Sequence, residues 1–228
     1  MVIFILMLQF RIKPILKRNS ILHGNQLPKI SYDSTLRLVT HQKANLRLKY
    51  HSKTIDIDSV GNAFTKTLLN QIIPYWLGTS WDFNGYTAKP KQGNIACGYF
   101  VSTTLLHAGC KLNRYKMAQK AAMEEALILE PKDSLFIRYT NRSKFIKEFI
   151  AKSKNGIYLI GLSFHVGYLY KSGNEVLFIH SNYINRQGVI VENAYTSEAL
   201  EASDIFVVAD LTNNNAFLKK WLNDIEIK

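Results

Sequence analysis

Apolar residues recur every fourth position at Val60, Phe64, Leu68, Ile72 and Trp76, behind the polar pair Asp58 and Ser59. That spacing predicts an amphipathic helix opening a folded domain. The pattern then breaks. "GTSWDFNGYTAKPKQGN" holds three Gly, two Asn and a Pro and predicts a loop, with Asn94 placed to cap a helix over residues 95–108. The inner face of that helix carries Cys97, Val101, Thr104 and Ala108. A helix rich in Ala, Met and Glu is expected from Tyr115 to Leu129, with Glu124 and Glu125 on a solvated face. A loop at "EPKDS" and a helix with Phe145, Ile146, Phe149 and Ile150 on one side complete the helical part.

From residue 156 the pattern changes to β-rich runs. "GIYLIGLSFHVGYLYKSGNEVLFIHSNY" is two such runs joined at Ser172, Gly173 and Asn174, a hairpin signature, and "GVIVENA" and "DIFVVADL" supply further strands. The expected class is α+β, a helical N-terminal half packed on a mostly antiparallel sheet. Residues 20–58 are polar and irregular, with short alternations in "LRLKY" and "KTIDID", and predict an extension with one or two weak strands. The boundary falls at residues 1–57 for an apolar segment and basic extension and 58–228 for the domain.

Composition narrows the picture. At 47% hydrophobic and 12% aromatic residues the chain suits a packed core rather than a disordered one. The net charge of +12 is uneven: residues 1–58 hold ten Lys/Arg against three Asp/Glu. Without a zinc finger, an RNP-type motif or a phosphate loop, that charge argues against sequence-specific nucleic-acid binding and suits anionic polymers of a cell envelope. The start, "MVIFILMLQFRIKPILKR", has an apolar run too short for an ordinary span and lacks a standard leader. It reads as an atypical export signal, an anchor lying at the membrane surface, or a misassigned start.

Two cysteines do not form a disulfide framework. On one helix, Cys97 and Cys110 would lie roughly 20 Å apart, beyond disulfide reach. Cys110 reads as a small buried hydrophobe and His107 as structural. Cys97 falls in a first helical turn, where free N–H groups and the helix dipole favour a thiolate, so it is expected to be a low-pKa thiol while Cys110 is not. A thiolate needs a proton partner, and His165, amid Phe164 and Val166 in a strand, offers one.

Hairpin register suggests what orients that imidazole. With Ser172 and Gly173 in the turn, His165 opposes His180. With Gly173 and Asn174 there, it opposes Asn182, and a three-residue turn brings Ser181 nearest. No close His/Cys/Asp/Glu spacing calls for a metal, and no cofactor is expected.

The arrangement resembles the NlpC-type cell-wall cysteine endopeptidases, which share the papain-like fold. In that family a "GxxYxxGG"-like loop precedes "DCSGFV", then "HVGIY", then an "FIHA"-like strand. Here "GTSWDFNG", "ACGYFV", "HVGYLY" and "FIHSNY" come in the same order across roughly residues 60–210. The resemblance implies Cys97 as nucleophile, His165 as base and His180 as orienting residue, with Trp81 in the place of the loop tyrosine. Ala96, Gly98 and Tyr99 depart from the family's Asp, Ser and Gly. Together with Asp82 and Asn182 they are taken as supporting or substrate-binding positions.

The resemblance implies a papain-like cysteine hydrolase. Such a protein is expected to cleave an amide bond in peptidoglycan stem peptides as endopeptidase or amidase, exported to the envelope or periplasm as a monomer. The competing readings are a binding module without turnover and an acyltransferase.

Overall fold

The computed structural model describes residues 30–130 and 136–228 of the 228-residue chain. Its helices are α1 (Tyr32–His51), α2 (Ile57–Lys66), α3 (Ile73–Trp76), α4 (Cys97–His107), α5 (Arg114–Ala118), α6 (Ala122–Leu129), α7 (Arg142–Lys152), α8 (Glu198–Glu201) and α9 (Asn215–Leu222). The strands are β1 (Phe136–Tyr139), β2 (Gly156–Leu162), β3 (Val166–Ser172), β4 (Glu175–Asn182), β5 (Gly188–Asn193) and β6 (Ile205–Asp210). They form one antiparallel sheet in the order β1-β6-β2-β3-β4-β5. The fold is therefore α+β, as the sequence pattern predicts.

Alternation along β2 divides the core. Ile157 and Leu159 face α2, α4, α6 and α9, joining Val60, Phe64, Leu105 and Trp221. Tyr158, Ile160 and Leu162 face the other way, onto Phe145, Ile146 and Phe149 of α7 and Leu200 of α8. Both faces of the central strands are covered, which is why they read as unbroken apolar runs.

The four-residue spacing from Val60 to Trp76 is explained by unusual winding. An α-helix advances about 100° per residue, so residues four apart drift by about 40° at each step. Here α2 passes into a π-helical stretch, Thr67–Ile72, before α3. The wider turn advances each residue by less and takes up part of that drift. Val60, Phe64, Leu68, Ile72 and Trp76 are all fully buried.

Several expectations are corrected. Residues 32–51 are not an extension with weak strands but a 20-residue helix capped by Ser31. Val39 is buried, Tyr32 bonds to Trp76 and His107, and Lys43 bonds to Gly109 O and to Asp224, so α1 belongs to the domain and the boundary at 57/58 does not hold. Polar residues such as Tyr32 and Lys43 carry this docking, which hides it from an apolar pattern. The helix expected over 115–129 is two, broken at residues 119–121. The first β-rich run is two strands, β2 and β3, joined by a tight corner in which Leu162 N–H donates to His165 O at 2.7 Å. The apolar N-terminal run and most of "EPKDS" lie outside the described residues. Among the described residues no helix is long and apolar enough to cross a membrane.

Candidate active site

Cys97 opens α4, but Asn94 does not cap it. The N-cap is Ala96, whose methyl group accepts no hydrogen bond, so the first-turn N–H groups stay without a side-chain cap. Ala96 N–H donates to Gly85 O at 2.8 Å, which ties the glycine-rich loop to the cysteine. Cys97 is partly exposed and its thiol lies within reach of the backbone N–H groups of Val166, Gly98 and Cys97 itself. The start of α4 thus meets the start of β3, one residue from His165.

His165 Nε2 and His180 Nδ1 stand 2.7 Å apart, and His180 Nε2 lies 3.0 Å from Glu192 Oε1. Both histidines are buried. Burial alone would raise the Glu192 carboxyl, but the bonds from His180 and Ser197 and the nearby Arg142 hold it below the usual range, hence ionised. An ionised Glu192 accepts only, so His180 donates through Nε2 and accepts at Nδ1. His165 must then donate through Nε2, which leaves its Nδ1 as the bare basic nitrogen. One carboxylate fixes two tautomers.

The turn of the β3–β4 hairpin is Gly173 and Asn174, since Ser172 pairs with Glu175 and Tyr168 with Ile179. Gly173 takes φ +60, as the first position of a two-residue II′ turn requires. Extended to residue 165, that register opposes His165 to Asn182, yet the contact is with His180, one diagonal step away on the same face. Gly167 makes the diagonal feasible: a Cβ there would lie 2.7 Å from the Phe178 ring and 2.8 Å from His180 Cβ. The rings of Phe178 and His180 stack at 4.0 Å. Asn182 is engaged elsewhere, accepting from Ile184 N–H and donating to Gln187.

The expected supporting residues divide. Trp81 reaches the site through Tyr183, whose ring lies 6.4 Å from Trp81 and 5.1 Å from His165. Asp82 accepts from Asn84 N–H and, through its carbonyl, from Gly85 N–H, so it shapes the loop. Tyr99 packs against Tyr86, Tyr115 and Arg114 on the α5 side. Gly98 is buried where a Cβ would meet Ala118 O at 2.8 Å.

The electrostatics overturn the low-pKa expectation for Cys97. Burial, reinforced by Glu125, pushes the thiol up to about 11, and the nearby N–H groups offset only part of that. Burial also pushes Cys110 up, to about 12. His165 is driven well below its ordinary value by burial and by His180, and burial lowers His180 as well. The helix N-terminus is present, but the desolvation it works against is larger. The resting pair is a neutral thiol and a neutral imidazole. Glu125, expected on a solvated face, is 1% exposed and sits beside this thiol.

Sequence reasoning missed Glu192, Tyr183 and Glu125. Glu192 was within reach: it alternates with Val191 in a strand and shares a face with Ile190, the cross-strand partner of His180. No protein-family model matches the chain, and no curated protein or solved structure matches it either.

Proposed function

We propose that the chain is a papain-like cysteine hydrolase that cleaves an amide bond, with peptidoglycan stem peptides as the substrate class. The observation that carries this reading is the relay His165–His180–Glu192 beside Cys97, because a carboxylate-oriented imidazole next to a thiol is the arrangement that nucleophilic acyl transfer needs. With both groups neutral at rest, His165 Nδ1 takes the thiol proton as sulfur attacks the carbonyl carbon. The resulting oxyanion is stabilised by the uncapped N–H groups of α4. His165 returns the proton to the leaving amine, and a water activated by the same nitrogen releases the acyl group from sulfur. The charge on anionic cell-wall polymers complements the net charge of +12.

A second reading, a binding module that keeps the fold without turnover, is favoured by the thiol's raised pKa. Incubation with purified peptidoglycan, followed by mass spectrometry of the soluble fragments, separates the two. New termini that vanish with Cys97→Ala support the hydrolase. Co-sedimentation without new termini overturns it in favour of the module.

A further inference from the structure

Glu125 lies outside the histidine relay. It is almost fully buried on α6, and its Oε2 has no hydrogen-bond partner. Its Oε1 lies 3.0 Å from where a Cβ of Gly98 would stand, against the first turn of α4. Two glycines permit this approach. Gly98 leaves room for the carboxyl and for Ala118 O, and Gly161 on β2 leaves room for Ala122 O, which would lie 2.3 Å from a Cβ there. Helix α6 is thereby pressed between sheet and cysteine helix, with its one fully buried acid delivered to the uncapped turn that carries the nucleophile. A structural carboxyl would ordinarily be paired in such a place.

We infer that Glu125 is a positioning residue for the Cys97 thiol: within this pocket the carboxyl and the thiol cannot both be ionised, so the thiolate forms only while Glu125 keeps its proton. The groups that feel the Glu125 charge are Cys97 on α4 and Tyr168 on β3. Tyr168 is fully buried and donates to Val101 O, and its phenol is held well above its ordinary value by burial, so it stays neutral throughout. Burial keeps Glu125 neutral far above the usual carboxylate range. Once it ionises, like-charge repulsion holds Cys97 in the thiol form. This rests on Cys97 as the reactive thiol of the proposed site, but not on any substrate.

The test is alkylation of the full chain by iodoacetamide across a pH series, with peptide mass spectrometry as the readout, for the wild type and Glu125→Gln. Cys97 Sγ displaces iodide and the thiol proton passes to solvent. In the glutamine variant the Cys97 profile should move to lower pH by about one unit, which is about tenfold faster labelling at any pH below both midpoints. Cys110, buried away from Glu125, serves as the internal control and should not change. Coincident Cys97 profiles, or equal acceleration of both cysteines, would overturn the inference.

Should the variant fail to fold, infrared spectra of the wild type decide. A neutral carboxylic-acid band that shifts on alkylation of Cys97 supports the pair, and its absence overturns it. A protein that shows the shifted profile but leaves peptidoglycan uncut keeps this inference and loses the hydrolase reading.

Discussion

His165 and His180 meet ring nitrogen to ring nitrogen at 2.7 Å although the ladder does not oppose them. The orienting role therefore falls to His180 in a register that, by simple opposition, would have selected Asn182. His180→Ala should lower turnover of a peptidoglycan substrate by about a hundredfold or more, the usual weight of a general base that loses its orientation. Asn182→Ala should leave it within a few-fold. Glu192→Ala should fall between them, while Glu192→Gln, which still accepts from His180, should stay close to wild type. Initial rates of fragment release decide, and the reverse order for His180 and Asn182 would reject the assignment.

Gly98→Ala tests the contact between α4 and α6. The added methyl meets Ala118 O and the Glu125 carboxyl, neither of which is the free end of an exposed chain. We expect a loss of about 1–3 kcal/mol from overpacking. A shift of the denaturant midpoint at unchanged slope measures it. A fully stable alanine variant would mean that α6 can retreat.

Tyr32→Phe tests whether α1 is integral. Tyr32 accepts from Trp76 Nε1 at 2.7 Å and lies 2.8 Å from His107 Nδ1, so its hydroxyl serves two partly buried groups at once. Removing it leaves the indole N–H without an acceptor and should cost about 1–3 kcal/mol. Chemical denaturation should show one transition in both proteins, at lower denaturant in the variant.

Acid stability depends on the same cluster. Burial, with Arg114 nearby, lowers His107 to about 4. An unfolded histidine titrates near about 6.5, so between these values the unfolded chain binds a proton that the folded chain does not. The stability from a neutral His107 is complete above the unfolded value and is lost as pH falls through the window, on the order of 1–3 kcal/mol. His165 and His180 act in the same direction. Melting temperatures recorded from neutral pH down to about 4.5 should decline, and His107→Gln should flatten the profile.

The sequence made the sheet half legible because strands buried on both faces leave long apolar runs, and it made Cys97, His165 and His180 legible because polar residues stand out there. It did not disclose α1, whose docking depends on Tyr32 and Lys43 rather than on an apolar stripe. Nor did it disclose Glu125, since acid pairs on helices usually face water and only the glycines at 98 and 161 draw this one inward. The pKa of Cys97 is hidden for the same reason. A helix terminus can be read from residue order, but the desolvation opposing it depends on what packs above.

The wide turn between α2 and α3 makes the chain intolerant of editing in one place. Deleting a single residue from Thr67–Ile72 would restore ordinary winding and rotate everything after it by about 100°. Trp76 would leave the Tyr32 hydroxyl, and the loop that begins at Leu77 would depart from the wrong side of the helix. That loop is stitched to β5 through Gly78 and Thr79 and hands the chain on to Cys97. A one-residue deletion some 25 to 30 positions upstream of the nucleophile would therefore misaim it, whereas a change of the same size in the surface turn at Gly173 would not.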